Sequence, residues 1–229
     1  MSTEVRQMFS TIARRYDVTN EVLSFGIHRL WRQSAVKLSG AIPGMTVLDC
    51  ATGTGDLALA FKRRVGDTGR VVGTDFCPEM LESAPAKAAK AGLKVEFEVA
   101  DAMALPYRSD SFDVASISFG IRNVDDPVKC LKELARVVKP GGRVVVLEFG
   151  QPRGMFGALF RFYSRVVMPN IGALLTGNRD AYEYLPRTAA AFPAGDRFLE
   201  LMDASGAYVQ RTAHPLTFGT AYVYVGVVG

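Results

Sequence analysis

Short apolar runs and helix-spaced apolar residues take turns along most of this chain. Runs over 45–49, 70–75, 94–99, 112–118 and 143–148 each contain valine and are bounded by glycine, proline or acidic residues, so they predict strands. Between them, 55–65, 78–91 and 127–138 repeat apolar residues at three- and four-residue spacing and predict helices. Pro78 suits a first helical turn, and Asp126-Pro127 supplies an N-cap followed by proline at the first helical position. Lys139-Pro140-Gly141-Gly142 predicts a tight turn into the strand 143–148. Such alternation predicts an α/β fold, a mostly parallel sheet with helices on both faces. Ahead of the first strand, Val5, Met8, Phe9, Ile12, Ala13 and Tyr16 recur at helical spacing, and Leu23 to Leu38 predicts another helix. After the last of these runs come a helical insertion over 154–180, a helix near 195–204, and strands near 207–213 and 219–228. No repeat or long linker divides the chain, so 1–229 reads as one domain: helices in 1–40, an alternating core in 41–150 and a remainder in 151–229.

Candidate chemistry sits at the strand ends. The first strand closes on Asp49 and turns through Gly53-Thr54-Gly55 into a helix; the next strand closes on Asp75. Glycines at such a turn let backbone approach a ligand, and the helix start offers free N–H groups. A carboxylate ending the second strand can take both hydroxyls of a ribose. The pair predicts an adenosine-containing cofactor. Gly53-x-Gly55-x-x-Ala58 also fits the dinucleotide fingerprint, so a nicotinamide oxidoreductase stays open on the glycines alone. Three features favour S-adenosylmethionine. Asp49 would repel a pyrophosphate but suits an ammonium or an ordered water. Asp101, followed by Ala102, stands where a carboxylate can accept from an adenine amino group. The glycine pair of 141–142 leads into the fifth strand. Ser118 ends the fourth strand, where ligands sit in open α/β sheets.

These motifs resemble the class I methyltransferase pattern. From Met8 to about Gly226 the chain resembles one branch of it, the quinone-biosynthesis C-methyltransferases. The residues that carry the likeness are Met8-Phe9, Tyr16-Asp17-x-x-Asn20, Leu30-Trp31-Arg32, Ser118-Phe119-Gly120-Ile121-Arg122-Asn123, Leu147-Glu148-Phe149 and Tyr182-x-Tyr184-Leu185. The resemblance implies a Rossmann-like sheet of seven strands whose last strand is antiparallel, with the N-terminal helices as a lid. It implies transfer of a methyl group from S-adenosylmethionine to a ring carbon of a polyprenylated quinol, a demethylmenaquinol or a 2-polyprenyl-6-methoxy-benzoquinol. A related enzyme acting on another phenol or lipid is the alternative. It implies cofactor contacts at Asp49, Gly53, Thr54, Gly55, Asp75, Asp101, Ala102 and Ser118.

A ring carbon becomes nucleophilic when the neighbouring phenol loses its proton, and a nearby cation favours that ionisation. Arg122 is the candidate phenolate stabiliser, or the organiser of a water that takes the proton; the competing reading is an ion pair with Asp125 or Asp126. Asn123 is read as orienting a substrate oxygen, Tyr16 as part of the lid, and Asp17 as a candidate proton acceptor. His28 is read as structural. Tyr182, Tyr184 and Leu185 are read as the wall of an acceptor cavity. Ala221-Tyr222-Val223-Tyr224 is more aromatic than the family pattern suggests.

Composition narrows the setting. The net charge of +4 is modest, but Phe149 to Arg179 carries no Asp or Glu and holds Arg153, Arg161, Arg165 and Arg179 among many apolar residues. That predicts transient contact with an anionic membrane surface rather than nucleic acid. No apolar leader stands at Met1 to Gln7, and no run approaches the ~18 apolar residues of a spanning helix. Three cysteines without a paired motif predict a reducing, cytoplasmic setting, on the inner face of the membrane. Two histidines far apart in sequence predict no metal site. A homodimer stays open.

Overall fold

Every run read as a strand forms one: β1 (Thr46–Cys50), β2 (Arg70–Asp75), β3 (Glu96–Val99), β4 (Phe112–Ser118), β5 (Val138–Phe149), β6 (Tyr208–Leu216) and β7 (Ala221–Val228). The computed structural model describes residues 10–11, 16–176 and 179–229. Val5, Met8, Phe9, Ile12 and Ala13 of the N-terminal apolar stripe lie outside them. The strands make one sheet in the order β3-β2-β1-β4-β5-β7-β6, in which only β7 runs against the rest.

Apolar side chains fill both faces, as a buried, mostly parallel sheet requires. Along β1, Val47 and Leu48 enter opposite cores; along β5, Val144 and Val146 enter one while Val145 and Leu147 enter the other. One face is covered by α6 (Pro127–Val137) and α10 (Asp196–Ser205). The other is covered by α2 (Ile27–Leu38) and α3 (Asp56–Val65). The aromatic end of β7 has a packing reason: Tyr224 is 1% exposed, stacks near Phe198, and its hydroxyl accepts the Gly195 N–H at 2.7 Å.

Four boundaries differ from the expectation. The helix read over 23–38 is two, α1 (Tyr16–Ser24) and α2, because Phe25 and Gly26 both take positive φ, 50° and 75°. The helix read over 78–91 is also two, α4 (Pro78–Leu81) and α5 (Ala84–Lys90), with Pro85 in the first turn of the second. Lys139–Gly142 is an irregularity within β5 instead of a turn before it: pairing resumes from Phe112↔Val138 to Val114↔Arg143 with a register shift. The helical insertion runs past 180, as α7 (Gly154–Phe162), a π-helical turn (Tyr163–Val167), α8 (Met168–Thr176) and α9 (Arg179–Ala191). Among the described residues no helix is long and apolar enough to cross a membrane.

Candidate active site

Strand order reverses between β1 and β4, and the glycine turn follows β1 at that point. Open α/β sheets bind ligands there. The turn is held open by left-handed backbone at Ala51 (φ 49°), Gly53 (57°) and Gly55 (85°). Asp75 spans it from β2, accepting the Gly53 N–H and the Cys77 N–H, each at 2.9 Å. Burial pushes its carboxyl above the ordinary range. A cavity beside it is lined by Gly53, Asp75, Asp101, Ala102, Ser118 and Asn123, among others. Asp101 uses one oxygen to cap its own loop at Met103 N–H, 2.8 Å. The Ser118 hydroxyl is buried and has no partner among the described residues. Two carboxylates, Asp75 and Asp101, and the Ser118 hydroxyl on one cavity wall suit an adenosine-bearing cofactor.

Asp49, Thr54 and Gly55 stand outside that wall. Asp49 is 1% exposed, and its two oxygens accept from Ser116 and Thr52 hydroxyls at 2.7 Å each. Burial raises its pKa to about 6 against those bonds. It fastens the turn to β4 from behind. Neither hydroxyl was singled out in the sequence, where both look like ordinary strand and loop residues. The Thr54 hydroxyl donates to Asp17 at 2.6 Å, and Lys87 reaches Asp17 at 2.6 Å and Thr54 at 3.1 Å. Lys87 also pairs with Asp56, which Arg32 holds at 2.6 Å. Asp17 therefore clasps α1 to the cofactor turn, away from the larger cavity described next. The Tyr16 side chain lies outside the described residues.

That larger cavity measures about 560 Å³ and is enclosed by α1, α2 and the insertion helices. Its wall includes Trp31, Phe119, Phe149, Tyr182, Tyr184 and Leu185, so the three insertion residues singled out in the sequence face one space. Phe119 lines both cavities, and the short turn Ile121–Asn123 joins them: Arg122 faces the large one, Asn123 the cofactor side. Trp31, Phe119 and Phe149 pack as a triad, and the Trp31 N–H donates to Thr217 at 2.8 Å. Tyr163, in the π turn, donates to the Leu23 carbonyl at 2.8 Å and ties the insertion to α1.

Arg122 is not paired as the competing reading had it. Its carboxylate partner is Glu148 at 2.7 Å, with side chains 3% and 1% exposed. Asp126 instead caps α6 at Lys129 N–H, 2.9 Å. Arg122 also donates to the Phe119 carbonyl at 2.6 Å and lies over the Phe149 ring, 5.2 Å from its centroid. Burial raises the Glu148 carboxyl, partly opposed by Arg122. The signal for Glu148 was a lone acid inside the apolar run Val144–Phe149. The Asn123 side-chain oxygen accepts from Tyr184 at 3.1 Å. His28 lines the large cavity, bonded to Ser24, with its pKa lowered by burial and then by Arg32. Among the described residues no group of His, Cys, Asp and Glu could hold a metal ion.

The ubiE/COQ5 methyltransferase family model matches residues 1–228. A Bdellovibrio bacteriovorus protein named ubiquinone/menaquinone biosynthesis C-methyltransferase UbiE is 59% identical over 225 residues, 98% of this chain and 95% of its own. A Thermus thermophilus protein named demethylmenaquinone methyltransferase is 49% identical, covering 96% of this chain and 99% of its own. The fold is shared with a SAM-dependent methyltransferase structure from Thermotoga maritima (TM-score 0.68, 20% identity, 96% and 98% covered). An Aquifex aeolicus SAM-dependent methyltransferase shares it as well (TM-score 0.65, 21% identity, 86% and 89% covered). The nicotinamide cofactor that the glycine turn alone left open is thus set aside, and the chain belongs to the ubiE/COQ5 family of S-adenosylmethionine-dependent methyltransferases.

Proposed function

We propose that this enzyme methylates a ring carbon of a polyprenylated quinol, a demethylmenaquinol, a 2-polyprenyl-6-methoxy-benzoquinol or both. The observation that carries this reading is the large apolar cavity beside the cofactor strand ends, whose wall turns polar at Arg122, next to Asn123. Its relatives' names point to the same substrate class.

The cofactor, when bound, supplies a methyl group already activated as an electrophile. The protein's task is alignment and activation of the acceptor. Asp75 and Ser118 are cast as holding the adenosine end. Phe119, Phe149 and Trp31 offer flat surfaces to an aromatic ring and exclude water from it. Arg122 is cast as stabiliser of the phenolate charge that makes the ring carbon nucleophilic. Tyr184 and Asn123 are cast as the pair that orients a second ring oxygen.

A quinol with a long apolar tail resides in a bilayer, and we assign the docking surface to the insertion. Met155 (91% exposed), Leu159 (65%), Phe25 (78%) and Phe218 (81%) stand in solvent. Arg153, Arg161 and Arg165 are exposed among them, in a stretch without acids. Apolar side chains can enter the interface while arginines meet anionic headgroups. The enzyme then works at the cytoplasmic face of the membrane.

Reduction tests the chemistry. Only a quinol can place phenolate charge on its ring carbon. Label from the methyl donor should reach the demethylated ring in the presence of dithionite and not under oxidising conditions. Equal turnover of the oxidised quinone would remove the phenolate mechanism.

A further inference from the structure

Two phenylalanines stand in water on backbone that bulky side chains rarely adopt. Phe25, between α1 and α2, takes φ 50°, and Phe218, between β6 and β7, takes φ 57°; both are largely exposed. Left-handed backbone strains a bulky residue, and water disfavours its ring, so each position carries two costs. Strain of this kind persists where the surrounding structure holds it for a purpose.

Both rings pack on one helix. Phe218 lies 5.1 Å from Phe156 near the start of α7, and Phe25 lies 6.1 Å from Tyr163, the residue that follows α7. Phe156 and Tyr163 are seven residues apart, two helical turns or about 10 Å. With Leu159 and Phe160 they form a stripe at helical spacing, and all four line the large cavity. Such a stripe ordinarily faces a packed core; this one faces open space. The rim of that space is apolar and open to solvent, because Phe25, Phe156, Leu159 and Phe162 line the cavity and are also exposed.

We propose that this rim, with α7 between Phe218 and Phe25, is a portal set in the bilayer: the quinol ring enters head first, and the polyprenyl tail runs back past the two phenylalanines into lipid. This rests on the quinol reading above. Arg122 and Tyr184 lie in the cavity wall, so the ring oxygens go to them and the tail points to the rim. A volume of about 560 Å³ suits a drug-sized ligand. A ring with a short piece of tail fills it, and a longer tail has to leave. Leaving into water would expose apolar surface; leaving into lipid does not. The wall carries no Asp or Glu among the described residues, and neither does the chain from Phe149 to Arg179, so nothing acidic on this side repels anionic headgroups. The protein then reads the ring and the start of the tail, while the rest of the tail serves only to hold the substrate in the bilayer.

The test places a dye at the rim. The three native cysteines are buried, so a surface cysteine can be tagged alone with an environment-sensitive dye. Phe25→Cys and Phe218→Cys mark the portal. Val209→Cys is the control: it is exposed and lies at the other end of β6 from Phe218, about 20 Å away along the strand. On vesicles of phosphatidylcholine and phosphatidylglycerol with spin-labelled acyl chains, dye at 25 and 218 should shift to the blue and be quenched, and dye at 209 should do neither. Dye that stays in water at 25 and 218, or equal quenching at all three sites, overturns the portal. A shift that follows protein concentration instead of vesicles also overturns it and gives the face to a second copy of the chain. The second arm is the Phe25→Asn, Phe218→Asn double variant, since asparagine takes left-handed backbone with less strain. Its melting temperature should hold. The ratio of its turnover of a long-tailed quinol in the vesicles to that of a short-chain soluble quinol should fall at least about tenfold, because burying even one phenylalanine is worth about that much. A folded double variant that keeps the wild-type ratio overturns the proposal; if it fails to fold, the dyes decide. If the wild type methylates neither quinol, the substrate reading falls and the dyes alone decide the portal. If it methylates the soluble quinol while both dyes stay in water, the portal falls and the substrate reading stands.

Discussion

Asp49 and Asp75 end neighbouring strands, and both are carboxylates in places that disfavour charge. What separates them is what the oxygens meet. Asp75 accepts backbone N–H groups and faces a cavity, while Asp49 accepts two hydroxyls and faces none. This gives a pH test. The folded-state pKa of Asp49 is about 6, raised by burial from 3.8, so the folded protein holds its proton more tightly than the unfolded chain. Its contribution to stability is complete below about pH 4 and lost as pH rises through about 6. Carboxylates held low by partners, such as Asp56 and Glu133, have the opposite slope. Comparison with Asp49→Asn isolates the one group. In urea melts, the stability of Asp49→Asn relative to wild type should be higher at pH 7.5 than at pH 4.5. Parallel behaviour of the two proteins would show that Asp49 is not buried as described.

The two acids were visible as acids at strand ends, Asp49 ahead of the glycine turn and Asp75 closing β2. Ser116 and Thr52 were not, because a hydroxyl's role depends on what lies across the sheet: Ser116 meets Asp49 from 67 positions away. Glu148 was visible as an oddity without a partner, since pairing with Arg122 is a fact of the turn at Ile121–Asn123 and not of spacing.

Whole elements were read best where local pattern and sheet packing agree. The five core strands and α6 follow from valine-rich runs and the Asp126-Pro127 cap. Helix breaks were missed where backbone chemistry overrode an unbroken apolar pattern. Phe25 takes positive φ ahead of Gly26, and Pro85 cannot donate to the turn behind it. The insertion was recognised by composition, but its length was misjudged because α9 carries charged and polar residues. Its proposed membrane role can be tested on the element alone. Arg161 and Arg165 are exposed and line one side cavity. Reversing both charges should abolish preferential sedimentation with anionic over neutral liposomes, at about 1 kcal/mol per arginine. Turnover of a soluble short-chain quinol should be unchanged. Wild-type protein that ignores anionic liposomes, or a reversed variant that still prefers them, would move the docking surface elsewhere.

Across the molecule, one sheet presents two adjoining cavities at the ends of its parallel strands, one carrying Asp75 and Asp101 in its wall, one apolar and walled by aromatics. They share Phe119, and the segment that follows it puts Asn123 on one side and Arg122 on the other. The mostly parallel sheet was implied by alternation, but the order of its strands was not. The antiparallel β7 came from family resemblance, because a short apolar run carries no mark of direction. The proposed function makes carbon the methyl acceptor, with the neighbouring oxygen held as a phenolate by Arg122. The position of the new methyl decides this directly. With a ¹³C-methyl-labelled donor and a reduced demethylated naphthoquinol, the product's NMR spectrum should show the label bonded to ring carbon. A label bonded to oxygen, or no transfer to the quinol, would contradict it.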